Sequence, residues 1–80
     1  MEEIKQSLQI KVGEELRKQR KVLKLTTIQV AEITGIHRGN ISRIEQGKQN
    51  TTCQLLEMFA NIYNVEVTIK FKKIKQPFKK

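Results

Sequence analysis

The chain is poor in the residues that build staples, cofactor sites and membrane spans. It holds one cysteine, Cys53, and one histidine, His37, in 80 residues. A single cysteine excludes an internal disulfide and offers no metal-ligand spacing. His37 has no cluster of Cys, Asp or Glu beside it, so neither a metal nor a cofactor is expected. No apolar run approaches the roughly 18 residues that cross a bilayer. The first residues, Met1-Glu2-Glu3-Ile4-Lys5, lack the basic start and apolar core of a secretion signal. A reduced, cytoplasmic setting without a membrane partner is the expectation. The chain also lacks a paired acid–base set, a glycine-rich phosphate loop and a nucleophile beside a histidine, which argues against an enzyme.

Acidic residues are scarce as well. Eight Asp plus Glu stand against sixteen Lys plus Arg, a formal net charge of +8. Such an excess on a small body favours a polyanionic partner, nucleic acid or an anionic membrane surface. The basic stretch 73–80 is not amphipathic at helical spacing, which disfavours the membrane surface. Eighty residues form one domain. A chain of this size buries only about 60% of the surface its unfolded form exposes, so a second copy would add core.

What is present is helical periodicity. Over 7–24, Leu8, Val12, Leu16, Gln19 or Arg20, and Leu23 recur at three- and four-residue steps. Leu25-Thr26 reads as a stop and restart, with Thr26 capping a helix over 27–34. Gly35 ends it, because a residue without a side chain enters the left-handed region at low cost. A third helix over 37–46 carries Ile41 and Ile44 on one side and closes at Gly47. Thr51, with Gln54 three places on, fits a capping box for a fourth helix over 52–63. Its inward positions are Leu55, Leu56, Phe59 and Ala60, with Asn64 as a left-handed terminator.

The period then changes. Val65, Val67, Ile69 and Phe71 alternate with Glu66, Thr68, Lys70 and Lys72, the pattern of a half-buried strand. No second strand of matching quality exists. A lone strand leaves backbone groups unpaired, so we expect it to pair with the same strand of a second copy. A short strand near residues 4–10 is the alternative partner. The chain divides into a domain over 1–64, a dimerising strand over 65–72 bearing Val67, Ile69 and Phe71, and a basic tail over 73–80.

Two short helices joined at Gly35, the second starting within three residues, describe a helix-turn-helix. The third helix sets Arg38, Asn40, Ser42 and Arg43 away from its isoleucine side. Glu45 is the one carboxylate between residues 33 and 56. Arginine can donate two hydrogen bonds to guanine, and asparagine can pair with adenine or a phosphate.

The run Leu25-Thr26-x-x-x-Val30-Ala31-Glu32-x-Thr34-Gly35-Ile36-x-x-x-x-Ile41-Ser42-x-Ile44-Glu45-x-Gly47 closely resembles the phage-repressor and Cro-type, or XRE-like, helix-turn-helix family. The resemblance spans about residues 12–65. It implies an all-α domain of four to five helices, to which the strand would add a dimer contact. It also implies a homodimer that represses transcription from an inverted-repeat site in double-stranded DNA. Arg38, Gly39 and Arg43 match positions that read bases in relatives. Asn40, Thr26, Thr27, Gln46 and Lys48 match positions that hold phosphates, and His37 stands where relatives carry a Ser-like cap. Arg20 and Glu45 match a buried pair that locks the first helix onto the reading helix. The family usually has Gln where Thr27 stands, which shortens one phosphate clamp, and Leu where Cys53 stands, which implies a core place for Cys53. With its terminal strand, the chain is also similar to HipB-like and HigA-like antitoxins, which implies a toxin as an alternative partner.

Overall fold

The computed structural model describes residues 7–73. Within them the chain forms four helices: α1 Leu8–Val22, α2 Thr27–Thr34, α3 Arg38–Glu45 and α4 Cys53–Tyr63. No helix among the described residues is long and apolar enough to cross a membrane. Residues 1–6 and 74–80 lie outside the described part, and with them most of the expected basic tail.

Each helix begins on a side-chain acceptor that satisfies an otherwise orphaned backbone donor. Ser7 Oγ accepts from the Ile10 N–H at 3.2 Å. Thr26 Oγ1 accepts from the Gln29 N–H at 3.0 Å, and Gln29 Oε1 accepts from the Thr26 N–H at 2.8 Å. That reciprocal pair is a complete capping box. Helix α4 departs from expectation by one residue. Thr52, not Thr51, accepts from the Leu55 N–H at 3.0 Å. Cys53 therefore becomes the first helical residue and is exposed rather than core.

The helix ends need left-handed residues, and the chain supplies both glycine and non-glycine ones. Asn64 stops α4 at φ 61°. Helix α1 ends at Val22 with Leu23 as its cap, two residues short of the expected Lys24, and Lys24 adopts φ 59°. The Lys24 N–H reaches the Lys21 carbonyl and the Leu25 N–H reaches the Arg20 carbonyl, at 2.9 and 3.2 Å. These paired bonds are a Schellman ending, which ordinarily uses glycine. A side chain at that position costs roughly 1–2 kcal/mol.

The four helices close over one core of Leu16, Val30, Ile41, Ile44, Phe59, Ala60 and Tyr63. Phe59 and Tyr63, one turn apart on α4, stack with ring centroids 6.1 Å apart. Burying each large side chain contributes on the order of 1.5–3 kcal/mol. Helix α1 packs on α3 and α4, and α2 packs on α3. The α1–α3 approach is a backbone contact. A Cβ placed on Gly13 would lie 2.3 Å from the Ile44 carbonyl oxygen and 2.8 Å from that of Glu45. Helical spacing alone overstates the stripe on α1, since Leu8 and Leu23 at its two ends are exposed.

The strand expected over 65–72 is not formed. No strand occurs among the described residues. A strand exists through a hydrogen-bonded neighbour, and the described residues present none. The alternative partner near residues 4–10 is excluded from Leu8 onward, because those residues already belong to α1. Val67 is partly exposed, Ile69 is 72% exposed and Phe71 is 95% exposed.

Candidate nucleic-acid interface

Helices α2 and α3 are joined by three residues whose every turn is accounted for. Gly35 adopts φ 80°, and its N–H donates to the Ala31 carbonyl at 2.8 Å. Thr34 Oγ1 donates to the Val30 carbonyl at 2.9 Å and accepts from the Ile36 N–H at 3.1 Å. His37 then caps α3, its Nδ1 accepting from the Gly39 N–H at 2.9 Å. The imidazole lies over Gly39, where an added Cβ would stand 3.1 Å from Nδ1. The missing side chain at 39 leaves room for the cap.

The far end of α3 is locked from beneath. Arg20 on α1 donates from Nε and Nη2 to the two carboxylate oxygens of Glu45, at 2.7 and 3.0 Å. Its Nη1 donates to the Leu25 carbonyl at 2.7 Å. One guanidinium therefore ties α1, the α1–α2 turn and α3 together. Both partners are buried. The hydrogen bond to Glu45 raises the Arg20 pKa further and outweighs the opposing effect of burial. Tyr63 is packed nearby. Its hydroxyl is pushed up to about 12, first by burial and then by the Glu45 charge, with Arg20 pulling the other way.

With Glu45 turned inward and paired, the outer side of α3 carries no carboxylate. Arg38 and Arg43 are exposed there, Asn40 and Ser42 are half-buried, and Gln46 and Lys48 are exposed. Arg43 is not a free charge. Its Nη2 donates to Asn40 Oδ1 and its Nε donates to Gln49 Oε1, the latter at 3.3 Å. Gln46 Nε2 donates to Ser42 Oγ at 3.0 Å. Thr26 and Thr27 stand at the start of α2, where the Thr26 oxygen is engaged in its cap.

Behind this surface the chain reverses at Gly47, with φ 77°. The Gly47 and Lys48 N–H groups donate to the Ile44 and Arg43 carbonyls, at 3.0 and 2.9 Å. Gln9 Nε2 donates to the Gly47 carbonyl at 2.7 Å, and a Cβ on residue 47 would lie 2.7 Å from Ile10 Cγ1. Sequence reasoning missed Gln9, Gly13 and Gln49. None stands in a recognisable spacing, and each matters through a partner distant in the chain or in the turn after α3.

The structure thus brings Arg38, Gly39, Asn40, Arg43, Gln46 and Lys48 onto or beside one short helix, capped by His37 and held by Arg20 and Glu45. Val67, Ile69 and Phe71 lie apart, after α4. No curated protein matches the chain. A family model described as a helix-turn-helix domain matches residues 11–68, which run from within α1 through α4 and the first residues beyond. By that match and this geometry, the chain belongs to the helix-turn-helix family of DNA-binding domains.

Proposed function

We propose that the protein is a sequence-specific transcriptional regulator of the phage-repressor and Cro type, acting as a homodimeric repressor on an inverted-repeat operator. The observation that carries this reading is the outer side of α3, basic and free of carboxylate because Glu45 is held inward by Arg20. In the major groove, Arg38 and Arg43 would read bases, each good bidentate contact giving on the order of 1–3 kcal/mol of discrimination. Gly39 would let the helix approach the bases closely. His37, Thr26, Thr27, Asn40, Gln46 and Lys48 would set the register on phosphates. The Asn40 oxygen already serves Arg43, so its amide N–H groups suit a phosphate.

Two reading helices related by two-fold symmetry address half-sites about 34 Å apart or a multiple of that. The apolar row Val67, Ile69 and Phe71 supports a dimer. Two such segments pairing antiparallel would supply each other's missing ladder and cover each other's apolar side. An antitoxin would turn the same row towards a toxin. A monomer that co-purifies with a larger partner would favour that reading over this one.

Selection from random duplex DNA tests the proposal, with wild type and Arg38→Ala in parallel. We expect an inverted repeat, with one base preference lost in the variant. A dimer neutralising roughly eight phosphates should show a log–log salt slope near −7. Equal binding of all sequences by both proteins would overturn base reading.

A further inference from the structure

The two arginines that matter most use the same edge of the guanidinium in opposite settings. Arg20 sets Nε and Nη2 against the Glu45 carboxylate inside the fold. Arg43 sets the same two nitrogens against the amide oxygens of Gln49 and Asn40 on the surface. Glu45 neutralises the charge it holds. Two neutral carbonyls hold an arginine and leave its positive charge to act on a ligand.

The consequence follows from the donor inventory. A guanidinium has five N–H donors in a planar fork. With Nε and one Nη2 proton engaged, the end-on pair from Nη1 and Nη2 remains. That pair matches the two acceptors of guanine in the major groove, O6 and N7. Gln49 is placed for this by the turn at Gly47. The Lys48 N–H is fixed to the carbonyl of Arg43 itself, which brings the next residue back beside the Arg43 side chain. Gln49 is half-buried there. Fixing a long side chain before binding lowers the ordering cost of the complex.

We propose that Gln49 is a positioning residue which, with Asn40, aims the end-on edge of Arg43 at a guanine and so sets one base of the preferred site. This inference rests on the reading of α3 as the base-contacting helix. It extends that reading to a residue outside the helix.

The test is selection from random duplex DNA by the full chain, comparing wild type, Arg43→Ala, Gln49→Met and Gln49→Glu. Methionine keeps the length of glutamine and removes its acceptor, whereas glutamate keeps an acceptor. Arg43→Ala should flatten one guanine preference per half-site. Gln49→Met should weaken the same preference about three- to tenfold, the usual effect of one hydrogen bond. Its melting temperature and the preference at the Arg38 position should not change. Gln49→Glu should keep the guanine preference, with weaker binding overall from the added charge. Full guanine preference in Gln49→Met overturns the proposal, and so does an equal loss at every position. If Arg43→Ala flattens one position and Gln49→Met none, only the role of Gln49 falls. If Arg43→Ala flattens nothing, base reading by Arg43 falls, and this inference with it.

Discussion

The stretch from α1 through Gly47 and the stretch after α4 obey opposite rules. In the first, capping groups, turns and charges find their partners within the same chain. Thr34 bridges two backbone groups, and Arg20 alone serves Glu45 and Leu25. No buried side-chain nitrogen or oxygen among the described residues lacks a hydrogen bond. In the second, residues 65–73 form no regular element, and the apolar side chains Ile69 and Phe71 face solvent. A region that is complete in one chain is specified by that chain. A region that shows a pattern without a partner among the described residues takes its order, under the dimer reading, from a second copy.

Substitution should separate the two regions, and the largest effect belongs to the first. Arg20→Ala leaves the Glu45 carboxylate buried and unpaired, a change that costs about 3–5 kcal/mol. Urea unfolding should show a loss of that size. A loss below about 1 kcal/mol would mean that the lock is not what holds α3. Alkaline pH should act next. The Tyr63 hydroxyl lies near 12 in the fold, against 10.0 for the free group. A raised value favours the protonated form, so its contribution is intact below pH 10 and is lost as pH rises towards 12. The loss is roughly 2–3 kcal/mol. Tyr63→Phe should lack that part of the decline, while lysine titration is common to both proteins.

Gly13→Ala should cost roughly 1–3 kcal/mol by overpacking, although alanine is the better helix former by about 1 kcal/mol. Thermal melts would show whether α1 and α3 can move apart by roughly the ångström that a Cβ 2.3 Å from a backbone oxygen requires. The smallest effect on folding belongs to the second region. Ile69→Lys should leave the stability of the single chain within about 0.5 kcal/mol. Under the dimer reading it should still shift sedimentation from dimer to monomer. A large loss of stability in the monomer would dissolve the contrast between the regions.

Much of the first region is legible in the sequence because its signals are local. Thr26, Gly35 and Gly47, like Asn64 at the end of α4, act through their own few neighbours, and each does so where spacing alone puts it. Where two adjacent residues have equal capacity, local chemistry leaves a one-residue ambiguity. Thr51 and Thr52 can both cap α4, and the choice of Thr52 carries Cys53 out of the core. The α1 stripe is readable in its middle and misleading at its ends, since Leu8 and Leu23 extend past the helices that cover Leu16. Gly13 looks like a weak point in a helix until the carbonyls of α3 are set against it. Gln49 lies in a polar connector without any period. Alternation over 65–72 tells which side chains share a face, but not what covers that face.

One contact reaches from the beginning of the described chain to the working end of the domain. Gln9 holds the Gly47 carbonyl while Ile10 fills the space against its Cα. Chain beginnings are usually the parts that tolerate trimming. Here, shortening the protein past Gln9 would release the turn that terminates α3, 38 positions away. Under the proposed reading of α3, selectivity for DNA should fall in such a truncation alongside any loss of stability.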